Sequence, residues 1–189
     1  LSISLLTTER MVFVPATEDS VRALIQSQFD IAWQLLAYHL EGLTDEECLW
    51  KPRPQGLFVE PCEEGWQAGW PESEDYAIGP PNIAWLTWHI IFWWSMAINH
   101  SFGDATLTME DVRWPGSAEL AKEAISNLRD EWLQHISTVS AEDLLCDKRT
   151  KWPFKNKPFY ELAGWLTVEL MKNAAEIGYC RFLYATRNN

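Results

Sequence analysis

The residues best suited to chemistry are one histidine in an apolar segment and three charged residues near the end of the chain. His89 lies in the segment NIAWLTWHII, and Glu169, Lys172 and Glu176 follow one another at steps of three and four. Residues three or four apart on a helix share one face, so the three charged residues form a stripe. Imidazole and carboxylate groups can ligate a metal ion, whereas a lysine cannot while it is charged.

The other polar candidates give weaker signals. His39 lies near the C-terminal end of a predicted helix, where the helix dipole favours a cation, so we interpret it as a capping or surface residue that can also reach a pocket. His100 and His135 have no partner at metal-ligand spacing, and we predict structural roles for both. Asn173 faces either the pocket or the seam between helices, and the pattern does not choose between them.

Patterns that mark other enzyme classes are missing from the chain. It contains no GxSxG elbow, Walker loop, Rossmann fingerprint or HExxH motif. The cysteines form no CxxC or CxxxC pair, so the sequence encodes neither a zinc ribbon nor a redox dithiol. We predict reduced thiols and assign no catalytic residue. The four cysteines are Cys48, Cys62, Cys146 and Cys180.

Composition and charge describe an acidic, tryptophan-rich globular chain. It has 189 residues, the size of one domain, and 27 acidic against 15 basic residues give a net charge of −12. Such a charge disfavours long-range attraction to phosphate backbones and anionic lipids, so we expect neither nucleic acid nor a membrane as partner. The 12 Trp residues need cavities and partners, which favours an aromatic-lined pocket or a subunit contact as well as a core.

The first residues and the longest apolar stretch indicate in which cellular compartment the protein is found. Residues 1–10 lack the basic start and apolar run of a secretory signal. The longest apolar stretch, 83–98, is shorter than the roughly 20 residues that a membrane span needs. We therefore predict a cytoplasmic protein.

Apolar residues at steps of three and four predict four long helices. Either Thr17 or Ser20 can cap the start of the first helix, and Ser117 can cap the start of the third. The predicted helices are 21–43, about 82–102, a third helix after Ser117, and a fourth from near Pro158 to about Thr186.

Two short helices are expected besides the long ones. Thr44 begins a capping box after the first long helix, and Ser140 begins a similar sequence after the third. No segment keeps the alternation of a strand for more than a few residues. The predicted fold class is therefore all-α, a four-helix bundle with short extra helices after the first and third long helices.

A long connection interrupts the helical pattern. Residues 51–81 contain six prolines and four glycines without a sustained period, which indicates a long loop or lid. Loops of that length in a compact domain are usually functional or disordered. We divide the chain into an N-terminal extension, 1–16, and a single domain, 17–189.

Three stretches of the sequence resemble the DinB-like superfamily, which includes YfiT-like metal-dependent hydrolases and the bacillithiol and mycothiol S-transferases. The apolar helix carrying Trp-His is the most specific of the three, and together with helix order the likeness covers nearly the whole chain. The stretches are HLEGLTDEECLWKP at 39–52, NIAWLTWHII at 82–91 and ELMKNAAEIGYCRFLYA at 169–185.

The resemblance implies an up-down-down-up four-helix bundle, commonly dimeric, with nickel or zinc held by three histidines. His89 stands at one ligand position, and the family's other two ligands form an HxxxH pair shortly before a glycine. If Gly178 is that glycine, Lys172 and Glu176 occupy the two histidine positions. This chain therefore departs from the metal site that the resemblance implies.

Two hypotheses describe the altered site. In one, His89, Glu176 and Glu169 form a carboxylate-rich metal site. In the other, which we prefer, Lys172 supplies the charge of the missing ion and clusters with Glu176 and His89, since a buried charge needs a partner. A plain core imidazole, bonded to a neighbouring polar group, is the alternative for His89.

The sequence leaves three functions open. The resemblance implies an enzyme, either a metal-dependent hydrolase or a transferase in which a metal activates water or a low-molecular-weight thiol. A metal-free module could instead bind a small molecule in a pocket formed with Trp85, His39, Lys172 and Asn173. The third possibility is a homodimeric structural or interaction protein, and a homodimer is expected in any case.

Overall fold

The computed structural model describes residues 17–73 and 75–188. The predicted N-terminal extension, 1–16, lies outside the described residues. Four long helices and two short ones account for most of the described chain, as the apolar spacing predicts. They are α1 Glu18–Leu40, α2 Asp45–Leu49, α3 Ile83–Phe102, α4 Ala118–Thr138, α5 Ala141–Leu145 and α6 Phe159–Ala185.

Side-chain caps fix where these helices begin, because they satisfy backbone N–H groups that have no partner within the helix. The Thr17 hydroxyl accepts from Ser20 N at the start of α1, and the Asn82 side chain accepts from Trp85 N at the start of α3. The predicted caps at α2, α4 and α5 are also present, formed by Thr44, Ser117 and Ser140.

Contacts between helix ends establish an up-down-down-up bundle. The C-terminal ends of α1 and α6 meet where Arg181 reaches the His39 carbonyl, so these helices are parallel. Helix α3 runs against α6, because Phe102 near the end of α3 packs on Phe159 at the start of α6. Helix α4 runs with α3, since Phe102 also stacks on His135.

The long connection contains a small hairpin that the sequence did not predict. Strands β1, Val59–Cys62, and β2, Gly65–Ala68, pair antiparallel. Each strand has four residues, and only one residue in each is buried, so the apolar alternation that identifies longer strands is absent. The hairpin packs on the bundle through Trp66, which contacts Trp114 edge-on at 5.3 Å between ring centroids.

The core fills the space between the four long helices. Helix α3 is central, because 15 of its 20 residues are buried, whereas α1 and α4 each bury one face. The four cysteines are free thiols, as predicted. Among the described residues, none of the helices is both long enough and apolar enough to cross a membrane.

Candidate functional site

Both ring nitrogens of His89 have hydrogen-bond partners within the bundle. The Trp93 indole lies one turn further along α3 and donates to His89 Nε2 at 2.7 Å. Because Nε2 accepts, Nδ1 carries the proton and donates to Asn173 Oδ1 at 3.0 Å. Asn173 in turn donates to the Glu169 carbonyl at 2.8 Å. The chain of bonds thus fixes one neutral tautomer of His89 and joins α3 to α6.

Tryptophan rings enclose the same imidazole. Trp85 stacks on His89 at 4.7 Å between centroids, and Trp70, from the long connection, stacks on it at 5.6 Å. The Trp85 indole donates to the Gly69 carbonyl at 2.9 Å, which holds the connection against α3. His89 itself is only 5% exposed. Trp85, which was predicted to line a pocket, is therefore packed against His89 and the long connection.

The surroundings of His89 strongly disfavour its protonated form. Burial, which has the largest effect, and the nearby positive charge of Lys172 together lower the pKa of His89 to about 3, although the hydrogen bond with Asn173 acts in the opposite direction. An imidazole with this pKa is neutral at physiological pH. It can orient a neighbour through hydrogen bonds, but it cannot provide a positive charge.

The charged residues of α6 pair differently from the preferred hypothesis. Lys172 Nζ lies 2.7 Å from Glu169 Oε2, and the Lys172 side chain is 46% exposed. Across the described parts of the chain, no ion pair joins Lys172 to Glu176. Burial raises the pKa of Glu176, and the charge of Lys172 only partly offsets this. Lys172 is thus a half-exposed cation at the edge of the site.

His39 lies in a different place, between α1 and α6. Its ring packs against Gly178, where an added Cβ would come within 2.5 Å of the imidazole. It also lines a groove with Glu47 and Arg181. Within the described residues, the contacts of His39 include no member of the His89 cluster. Gly178, the glycine that the resemblance places after the metal ligands, is therefore required by the packing of α1 on α6.

An open cavity of about 530 Å³ lies between the long connection and α6. Lys172 lines it from α6, and Asp75 and Ser73 line it from the connection. Apolar side chains supply much of the remaining wall, among them Leu57, Pro71 and Ile78. A cavity of this size that combines apolar walls with polar and charged side chains can accept a small organic molecule.

The donor set does not fit a transition-metal ion. His89 Nε2 is occupied by the Trp93 indole and Nδ1 by Asn173. Residues 17–73 and 75–188 contain no group of three or more histidine, cysteine, aspartate or glutamate side chains that could hold a metal. The candidates Glu169 and Glu176 lie on α6, but they do not complete a ligand set with His89.

Sequence reasoning missed three members of the site. Trp93 lies four residues after His89, so helical spacing alone would have placed the two side chains together. Trp70 and Asp75 are in the irregular connection, where no period predicts their neighbours. Only the folded path of the described residues 69–73 and 75–82 brings these two residues to α3 and α6.

Most of the chain matches one known protein family. A family model described as the DinB superfamily matches residues 28–177. The match includes the second half of α1, all of α3 and α4 and most of α6, together with His89, Lys172 and Glu176. A search of curated proteins gave no significant match.

Proposed function

The chain belongs to the DinB superfamily, and we propose that this member binds a small organic molecule and does so without a tightly held metal ion. The ligand would occupy the cavity between the long connection and α6. Lys172 would contact an anionic or carbonyl oxygen of the ligand.

The observation that carries the proposal is the occupation of both nitrogens of His89. Metal binding at this histidine would break the bond from Trp93 or the bond to Asn173, and a buried indole or amide without its partner costs roughly 1–3 kcal/mol. The histidine therefore holds Trp93 and Asn173 in place within the bundle.

Lys172 is the group best placed to recognise a ligand. An ammonium has three donors, and Glu169 accepts from one direction at 2.7 Å. The remaining donors are available to a ligand in the cavity that Lys172 lines. Hydrogen bonds between an ammonium and a carboxylate are stronger than those between neutral groups.

Elemental analysis tests the metal-free part of the proposal. The protein should be purified without a His tag and analysed by mass spectrometry for nickel and zinc. We expect well under one equivalent of either metal, and a chelator should leave the melting temperature unchanged. One bound equivalent would overturn the proposal and favour the alternative of a metal-dependent hydrolase or thiol transferase.

A titration with benzoate tests the ligand site. Calorimetry should show saturable binding that Lys172→Gln weakens about tenfold or more, because the variant removes the cation but keeps a polar side chain. The matched control is Lys155→Gln, which removes an exposed lysine from a different cavity. Equal binding by both variants would show that Lys172 is not the recognition group.

A further inference from the structure

A second cavity adjoins the first along α6. It has a volume of about 340 Å³ and is lined by Pro80 and Pro81 on one side and by Ala175, Tyr179 and Leu183 on the other. Pro80 lines both cavities, so the two cavities adjoin at this residue, and together they are called the groove and its two compartments. The groove follows the edge between α6 and the end of the long connection.

The two compartments differ in their polar groups. The first contains the ammonium of Lys172 and the carboxylate of Asp75. In the second, the ionisable groups are Glu176 and Cys180, apart from the exposed phenol of Tyr179. Burial raises the pKa of Cys180 to about 11 and also raises that of Glu176. The second compartment therefore disfavours charge and favours apolar groups.

Helical geometry sets the length of the groove. Lys172, Ala175, Tyr179 and Leu183 follow at steps of three and four, which places them on one stripe of α6. With a rise of 1.5 Å per residue, the stripe is about 16 Å long. A linear molecule lying on it would have one end at the ammonium and the other among proline, tyrosine and leucine side chains.

We infer that the groove binds an amphipathic monocarboxylate, with its carboxylate at Lys172 and its aliphatic chain in the compartment of Pro81, Tyr179 and Leu183. This inference rests on the proposed function and specifies the ligand class. Charge complementarity at one end and apolar walls at the other identify the two parts of the ligand. Glu176 borders the compartment of the aliphatic chain, so a second carboxylate at that end of the ligand is disfavoured.

A chain-length series provides the test. Butyrate, hexanoate, octanoate and decanoate should be titrated into the full-length protein by calorimetry, below their micelle concentrations. We expect the affinity to rise about two- to fourfold per added methylene, as burial of aliphatic surface requires. Decanol should bind at least about tenfold more weakly than decanoate, because it lacks the charge that pairs with Lys172.

Variants in the second compartment distinguish the contribution of the aliphatic chain to binding from that of the carboxylate. Leu183→Asp should weaken decanoate binding about tenfold or more and leave butyrate binding unchanged. Tyr179→Ser is a milder second variant, since Tyr179 is exposed and its loss does not threaten the fold. The matched control is Leu145→Asp, which places the same charge at an exposed leucine of α5.

The outcomes distinguish this inference from the proposed function. If butyrate and benzoate need Lys172 but affinity does not rise with chain length, the inference is overturned and the proposed function stands. If no carboxylate binding depends on Lys172, both are overturned. Equal loss of decanoate binding in Leu145→Asp and Leu183→Asp would indicate surface adsorption and would also overturn the inference.

Discussion

At the scale of single residues, His89 shows that a histidine at a metal-ligand position can instead be a buried hydrogen-bonding group. The imidazole keeps its place on α3, but a tryptophan indole and an asparagine amide take both nitrogens. Two further rings, Trp85 and Trp70, cover its faces. The chemistry of the histidine is thereby reduced to that of a neutral hydrogen-bonding group.

The low pKa of His89 predicts a pH-dependent stability. The unfolded chain binds a proton at this histidine near pH 6.5, whereas in the folded chain the pKa is about 3. Between those values the unfolded state holds the extra proton, so stability falls as the pH falls. We expect the free energy of unfolding to decrease by about 1 kcal/mol per pH unit between roughly pH 6 and pH 4.

Denaturant unfolding at several pH values checks this expectation. His89→Gln removes the titrating group, so its stability should change less with pH over the same interval. His135→Gln changes a half-exposed histidine outside the His89 cluster and serves as the control for loss of a histidine elsewhere in the bundle. Parallel curves for the parent and His89→Gln would contradict the assigned low pKa.

At the scale of elements, three arginines hold the C-terminal ends of helices α1, α3 and α4. Arg181 donates to the carbonyls of His39 and Glu41 at the C-terminal end of α1, and Arg149 donates to the Ser101 carbonyl near the end of α3. Arg22 donates to the carbonyls of Ile136 and Val139 at the end of α4. Each contact satisfies carbonyls that have no partner within the helix and opposes the negative end of the helix dipole.

The Arg181 contact predicts a large effect on stability. Its guanidinium also makes two bonds to Glu47, at 2.9 and 3.3 Å, and the Glu47 side chain is only 9% exposed. Arg181→Ala leaves a buried carboxylate without its cation, so we expect a loss of about 3–5 kcal/mol in the free energy of unfolding.

A matched variant lies six residues further along the chain. Arg187 pairs with Glu46 at 3.4 Å on the surface, and Arg187→Ala should cost no more than about 1 kcal/mol. Urea unfolding of both variants measures the two losses in the free energy of unfolding. Losses of similar size would show that the buried clamp contributes no more than a surface ion pair.

At the scale of the whole molecule, α1 and α6 present apolar residues to solvent. Leu24, Ile31 and Tyr38 are spaced by seven on α1, and Val168 and Phe182 are spaced by two sevens on α6. These five side chains are between 57% and 72% exposed. The two helices are parallel neighbours, so their stripes form one face on the outside of the bundle.

This face predicts a homodimer. An apolar stripe on one copy can pack against the same stripe on a second copy about a twofold axis. We expect sedimentation of a dimer at micromolar concentration and of a monomer for Ile31→Asp. The control Leu120→Asp changes an exposed leucine on α4 and should remain dimeric. A monomeric parent protein would refute the expectation.

The sequence by itself determined the helices, their caps and the bundle. Period-3.6 spacing is local, and a serine, threonine or asparagine before a helix acts on backbone groups within three residues, so both can be read along the chain. Thr17, Thr44, Ser117 and Ser140 all cap the helices that they were expected to cap. The family resemblance singled out His89, Lys172 and Glu176, but neither it nor the spacing was used to identify Trp93.

Tertiary structure decided how those residues pair. Lys172 pairs with Glu169, Asn173 turns to His89, and His39 packs on Gly178 away from both. The path of the long connection, which carries Trp70 and Asp75 to the site, follows from contacts with α3 and α6 and not from a period. Spacing alone leaves Glu169 and Glu176 as equal partners for Lys172. The contacts of Asn173, His39 and the long connection join residues far apart in the chain, and neither composition nor spacing contains that information.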